Sequence, residues 1–290
     1  MEESKIFWID LFCGAGGTST GIHMADANAK VIACVNHDAV AILSHKENHK
    51  DCLHFTEDVR DMKVVESLKI LVDNLRQENP NCIINLWASL ECTNYSKAKG
   101  GLPRDADSRT LAHALFMYIG ALNLDYIFIE NVREFMSWGP LDANGRPISR
   151  RNGSDYVKWC NKVQSYGYNY DFRLFNAADF GAYTSRNRYF GQFSRNGMPI
   201  QWPETTHVKK ISKNEGLFET TKKPWKPVRE VLDLEDDGKS IFGRKKDLSE
   251  NTLKRIYAGL IKFVAGGEKN FMTQFGGGDP NSKIWTFPVY

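Results

Sequence analysis

An apolar run over residues 6–12, Ile6-Phe7-Trp8-Ile9-Asp10-Leu11-Phe12, gives way at once to Cys13-Gly14-Ala15-Gly16-Gly17. The run reads as a buried strand, and residues 18–27 beyond it read as a helix. A strand that turns straight into a helix through crowded glycines is compatible with few folds. Glycine reaches backbone conformations closed to other residues and lets a ligand approach the main chain. The helix start adds unpaired N–H groups. The pattern fits a nucleotide-type binding turn, with glycines closer together than in the G-x-G-x-x-G dinucleotide fingerprint. It serves equally as a tight strand-to-helix turn with no ligand.

The alternation then continues. Residues 30–35, 82–88, 126–130, 170–175 and 188–193 read as strands, and residues 38–48, 61–77, 108–122 and 155–166 as helices. In the helix at 61–77, Met62, Val65, Leu68, Leu71, Val72 and Leu75 recur at helical spacing and form one apolar face. Strands alternating with helices predict an α/β fold, a mostly parallel sheet with helices on both faces. Sites in such sheets lie beyond the carboxyl ends of the strands.

Two strand ends carry chemistry. After the strand at 82–88 come Ser89-Leu90-Glu91-Cys92-Thr93-Asn94-Tyr95-Ser96-Lys97-Ala98-Lys99-Gly100-Gly101, a thiol followed by a polar loop. After the strand at 126–130 come Glu130-Asn131-Val132, a carboxylate at a strand end. A thiol and a carboxylate so placed predict one shared pocket.

With 290 residues and 42% hydrophobic content, the chain suffices for one large domain or for one domain plus a smaller one. From about residue 194 the alternation weakens, and Pro199, Trp202, Pro203, Pro224, Trp225 and Pro227 enter beside many Lys and Arg residues. A boundary is placed there, giving a catalytic domain at 1–193 and a smaller region at 194–290. Trp202 and Trp225 read as core of the smaller region. A net charge of +3 neither requires nor opposes a nucleic-acid partner. The six cysteines show no C-x-x-C pair and no disulfide-framework spacing, which predicts reduced thiols in an intracellular protein. Neither a signal peptide nor a membrane-length apolar run is visible, so a soluble, cytoplasmic protein is expected, without membrane contact.

One apparent metal motif is set aside. His45-Lys46-Glu47 resembles the H-x-E of zinc deaminases, which also needs a later P-C-x-x-C. Glu91 precedes Cys92 here, and Tyr95 stands where the second Cys would be. His45 and His49 share a helix face at i, i+4, but the sequence shows no third ligand, and no metal is assigned. Cys13 lacks an activating neighbour and reads as packing.

Taken together, the motifs resemble the C5-cytosine DNA methyltransferase family. Asp10-Leu11-Phe12-Cys13-Gly14-Ala15-Gly16-Gly17 is similar to its cofactor loop, and the Cys92 loop to its nucleophile loop. Glu130-Asn131-Val132 is similar to its Glu-Asn-Val signature. Asn176-Ala177-Ala178-Asp179-Phe180-Gly181, followed by Arg186-Asn187-Arg188, is similar to its late arginine motif. The motifs stand in the family's order over residues 5–193, and the Glu-Cys-Thr form of the nucleophile loop resembles a phage and bacterial subgroup.

The resemblance implies a Rossmann-like, S-adenosylmethionine-dependent methyltransferase, with residues 194–290 as a partial target-recognition region. It implies methylation of cytosine C5 in double-stranded DNA. The Cys92 thiolate would add at C6 of a flipped-out base and load electron density onto C5, which then attacks the methyl of S-adenosylmethionine. Glu130 would act at N3 of the base. Arg186 and Arg188 would stabilise charge on the base or hold a phosphate, or else form a structural ion-pair clamp. Phe12, Gly14, Ala15, Gly16 and Gly17 would line the methionine end of the cofactor, with Leu111 nearby. Asn36 and His37 would approach the ribose, and Asp58 and Val59 the adenine. Asp58 serves alternatively as a cap for the helix starting near 61. Ser96, Lys97, Lys99 and Arg104 would meet the DNA from a segment that closes over it.

The chain departs from the family's pattern at Asn36, where Glu is usual, at Leu90 and Glu91 before the nucleophile, and at Thr184, where the arginine motif opens with Gln. The C-terminal Gly-Asn motif is absent before Tyr290, which is compatible with a truncated chain, a divergent pocket or an inactive relative. A branch of the family acts on tRNA, so an RNA substrate and a catalytically inactive DNA-binding role stay open. A monomer is expected, associated with the nucleoid if bacterial or phage. Neither the recognised base sequence nor a cognate restriction nuclease of a restriction-modification system can be read from the residues.

Overall fold

The computed structural model describes residues 5–90, 108–140, 142, 148–149, 152–210, 221–233, 235, 240, 242–243, 245, 247–261, 271–274 and 285–288. Strands β1 (Ile6–Leu11), β2 (Lys30–Val35), β3 (Leu53–Phe55), β4 (Ile83–Ser89), β5 (Tyr126–Asn131), β6 (Tyr168–Asn176) and β7 (Asn187–Arg195) form one sheet. Its order is β3-β2-β1-β4-β5-β7-β6. Pairing is parallel from β3 through β5, and β7 runs antiparallel to β5. A parallel neighbour needs a long crossover, usually a helix. Between β6 and β7 the chain has one 3-10 turn, Ala177–Phe180, in place of such a helix.

Helices α1 (Gly17–Ala25), α2 (Ala39–Asn48), α3 (Met62–Glu78), α4 (Ser108–Leu122) and α5 (Ser154–Gln164) connect the strands. Because side chains alternate along a strand, β1 feeds two cores. Phe7, Ile9 and Leu11 join Val65 and Leu68 of α3, Leu115 and Tyr118 of α4 and Trp159 of α5 in the larger core. Trp8 packs on the smaller one, with Ile22 of α1, Ile42 of α2, Cys13, Cys34 and Cys52. Helices therefore cover both faces, as the alternation predicts. The apolar face expected on α3 needs one correction. Met62 is 49% exposed at the first position after the cap, and Val64 is buried in its place.

Polar groups close the helix starts. Asp38 caps α2 by accepting from Val40 N at 2.8 Å, and Asp61 caps α3 by accepting from Lys63 N at 2.9 Å. At the amino ends of β4 and β5, buried Asp125 accepts from Ile84 N at 2.8 Å and pairs with Arg76 at 2.9 Å. A buried carboxylate that is both paired and hydrogen-bonded avoids the large cost of an isolated charge. This anchor lies at the end of the sheet away from the parallel strands' carboxyl termini.

The described chain forms two units. The first takes residues 5–90, 108–174 and 188–202, and the second takes 175–187 and the described residues from 203 onward. In the second, β8 (His207–Val208) pairs in parallel with β9 (Lys223–Pro224). Asp179 holds the unit together, its Oδ1 accepting from Trp225 Nε1 and its carbonyl from Thr206 N, both at 2.9 Å. Gly181 has φ +84°, and a Cβ there would stand 2.6 Å from His207 Cε1. Trp202 falls in the first unit rather than in the smaller core expected for it. Its Nε1 donates to Asp171 at 2.9 Å, and Arg173 lies over its ring. Among the described residues no helix is long and apolar enough to cross a membrane.

Candidate active site

The strand order turns back between β1 and β4, and a cleft opens at such a switch point beyond the strands' carboxyl ends. The registers put the expected groups along that edge. Leu11 is level with Val35 of β2 and Ala88 of β4, and Ser89 is level with Glu130 of β5. Cys13 N donates to the Val35 carbonyl at 3.3 Å, which lashes the glycine turn to the end of β2.

Each part of that turn has its own physical reason. Phe12 is left-handed at φ 59°, as are Gly14 at 53° and Gly16 at 97°. Among the described residues, a Cβ added at Gly14 or Gly17 would meet nothing within 4 Å, so the backbone there borders space that those residues leave open. Gly16 differs. A Cβ on it would stand 2.9 Å from His49 Cδ2 and 3.1 Å from His45 Cδ2. Of the glycines read as ligand cradles, Gly16 is required by the packing of α1 on α2. Gly16→Ala is expected to destabilise the protein by about 1–3 kcal/mol, from a strained φ plus a steric clash. A thermal-unfolding midpoint equal to that of the parent would remove this account.

Asp10, expected in the cofactor motif, does not face the cleft. It is fully buried, and Ser19 Oγ donates to its Oδ2 at 2.8 Å. Burial pushes its carboxyl up to about 7. Ala15 is exposed. Phe12 and Leu111 are both partly buried against the larger core.

At the end of β2, the Asn36 carboxamide oxygen accepts from Asp38 N at 2.9 Å, and His37 is exposed. Asp58 is engaged by Arg60, whose Nε donates to Oδ1 at 2.9 Å and whose Nη2 donates to Oδ2 at 2.6 Å. The Arg60 guanidinium holds the Asp58 carboxyl below its ordinary value. The helix cap is Asp61 rather than Asp58. Val59 is buried, and its carbonyl accepts from Tyr118 Oη at 2.7 Å.

The catalytic candidates divide. Arg188 Nε lies 3.0 Å from Glu130 Oε1, both side chains 21% exposed. Arg186 is exposed, and its carbonyl accepts from Ala177 N. Cys92, Ser96, Lys97, Lys99 and Arg104 lie outside the described residues. Sequence reasoning gave Asn131 no role, although it sits in the quoted Glu-Asn-Val run. It is 2% exposed, its Nδ2 donates to the Leu90 carbonyl at 3.4 Å, and its Oδ1 accepts from Val132 N at 2.7 Å. Asn131 thus fastens the end of β5 to the chain leaving β4.

A parallel sheet of this order with an antiparallel β7, helices on both faces and a glycine turn at the switch point defines the Rossmann-like fold of S-adenosylmethionine-dependent methyltransferases. Residues 6–259 match the family model for C-5 cytosine-specific DNA methylase, and the chain belongs to that family. It is 27% identical over 237 residues to the type II methyltransferase M.AquIA of Picosynechococcus sp., covering 79% of this chain and 88% of that one. It is 26% identical over 204 residues to M.AgeI of Thalassovita gelatinovora, covering 69% of this chain but 42% of that one. The solved methyltransferase EhMeth of Entamoeba histolytica is 18% identical with a TM-score of 0.49, covering 70% of this chain and 57% of that one. The chain therefore spans less than two thirds of the length of most of these relatives.

Proposed function

We propose that this chain transfers a methyl group from S-adenosylmethionine to C5 of cytosine in double-stranded DNA, through a covalent adduct between Cys92 and C6 of a flipped-out base. One observation carries the reading. Glu130 stands in register with Ser89, and Asn131 binds the Leu90 carbonyl, so the acid and the strand that leads to the thiol leave the sheet side by side. Cys92 follows Leu90 by two residues, which cannot separate their Cα atoms by more than about 7 Å.

The glycine turn suits the cofactor. Open space beside Gly14 and Gly17 and the left-handed Phe12 allow a ligand to lie against the main chain. Phe12, Ala15 and Leu111 would flank it. Asn36, its oxygen already used by Asp38, would offer its amide N–H₂ to a ribose hydroxyl. Asp58 would accept from the adenine amine through lone pairs left over from Arg60, since a carboxylate accepts several hydrogen bonds. His37 and Val59 would complete that end. When bound, S-adenosylmethionine supplies an electrophilic methyl on a sulfonium.

The protein's own part is covalent and acid–base chemistry. The Cys92 thiolate forms a bond to C6, and the ring's electron pair moves to C5. Glu130, oriented by Arg188, holds N3 and makes C6 more electrophilic. After C5 is substituted, loss of its proton to a base returns the electron pair and expels the sulfur. Arg186 would contact a phosphate, as would Ser96, Lys97, Lys99 and Arg104, and residues from 194 onward would read the target.

Tritiated methyl transfer to duplex DNA and to tRNA tests the substrate, with bisulfite sequencing of DNA from expressing cells as the positional readout. Label on DNA and protected cytosines in a fixed context are expected. Label on tRNA alone would overturn the DNA assignment.

A further inference from the structure

Behind the glycine turn, on the α1–α2 side of the sheet, the fold gathers residues that the sequence leaves unrelated. Cys34 comes from β2, His45 from α2, and Cys52 and His54 from the start of β3 and the turn before it. One ligand atom from each lies within 4.8 Å of every other. His45 Nδ1 is 3.0 Å from His54 Nε2 and 3.6 Å from Cys34 Sγ. Zinc in a tetrahedral site has bonds of about 2.3 Å to sulfur and about 2.05 Å to nitrogen, hence edges of roughly 3.3 Å between nitrogens and roughly 3.6 Å between nitrogen and sulfur. The two edges at His45 Nδ1 already stand near that spacing, and no other edge exceeds 4.8 Å.

The hydrogen bonds around His45 accommodate the tautomer such a site needs. With Ser19 Oγ donating to Asp10 Oδ2, its contact with His45 Nε2 at 2.9 Å suits an imidazole that carries its proton on Nε2. A neutral ring that donates from Nε2 turns the Nδ1 lone pair toward His54 and Cys34. Metal-bound histidines are usually oriented by just such a donation from the other ring nitrogen. The smaller core around the cluster is itself thin, with Cys13, Cys34 and Cys52 among its seven buried members in the described residues.

We propose that Cys34, His45, Cys52 and His54 form a closed structural site for one divalent zinc ion. Two thiolates and two neutral imidazoles around a dication sum to zero charge, which removes the main penalty for burying it. Binding forms two Zn–S and two Zn–N bonds and releases the two thiol protons to solvent. Thiolate and imidazole donors in a tetrahedral set select zinc over the hard cations. Four protein ligands leave no open position, so the ion's task is to tie β2, α2 and β3 together. Through His45 and Ser19 it also braces the first turn of α1. Cys13 meets the Cys34 thiol but stands outside the set of four.

The test is metal analysis of the full chain, produced in zinc-supplemented medium and purified without a histidine tag or chelator. About one zinc per chain is expected. Exchange with cobalt should give the intense visible bands and sulfur charge transfer of a tetrahedral thiolate site. Cys52→Ser and His54→Ala should lose the ion, while Cys82→Ser, at the far end of β4, should keep it. Zinc below about a tenth per chain in the parent protein would overturn the proposal. So would a Cys34–Cys52 disulfide found by mass analysis, or full zinc retention in a folded Cys52→Ser. Should both variants fail to fold, the parent's zinc content and cobalt spectrum decide by themselves.

Discussion

Cys92→Ser is expected to abolish methyl transfer, with a rate loss on the order of 10⁴ or more, the scale for removing a covalent nucleophile. The substitution keeps the size and hydrogen-bonding shape of the side chain. It replaces a polarisable thiolate by a hydroxyl that is scarcely ionised near neutral pH, and the first bond to C6 is then not made. The proposed cofactor contacts come from the ends of β1 and β2, the segment after β3 and α4, all elements other than the one that leads to Cys92. Affinity for S-adenosylmethionine, read by calorimetry, should therefore match that of the parent. A serine variant that transfers label within about tenfold of the parent rate would strip Cys92 of its role.

Glu130→Gln is expected to slow transfer by about two to four powers of ten, the usual contribution of a positioned acid–base group. Glutamine preserves volume and reach but carries no exchangeable carboxyl proton and no charge for Arg188, which now sits 3.0 Å from Oε1. The loss should appear in the single-turnover rate, with cofactor affinity unchanged, because the role proposed for Glu130 is on the base. A rate equal to the parent's would remove Glu130 from the mechanism and leave the Glu130–Arg188 pair a structural clamp.

The elements with strong periodicity were legible in the residues. The strand expected at 30–35 is β2 and the helix expected at 108–122 is α4, with matching bounds. β3 was not legible, since Leu53–Phe55 is too short for a period to show. Nor was the direction of β7, because alternation says which face a residue takes and not which way the strand runs. The expected glycine turn is present, yet its residues divide by cause. Gly14 and Gly17 border space, whereas Gly16 makes room for His45 and His49, a contact across α1 and α2. The cysteine–histidine cluster was invisible for the same reason. His45 and His49 suggested a pair on one helix face, but the groups that meet His45 arrive from β2 and from around β3. His49 instead contacts Thr20 at 3.1 Å.

The interleaving of the two units bears on chimaeras between relatives. A graft joined only at residue 194 would leave 175–187 behind in the recipient. Asp179 would then lose the indole of Trp225, and Gly181 would face a ring other than His207. An exchange of the second unit, the proposed reader of the target, therefore calls for a two-cut cassette, in which the short span ahead of β7 travels with the tail it is built to hold.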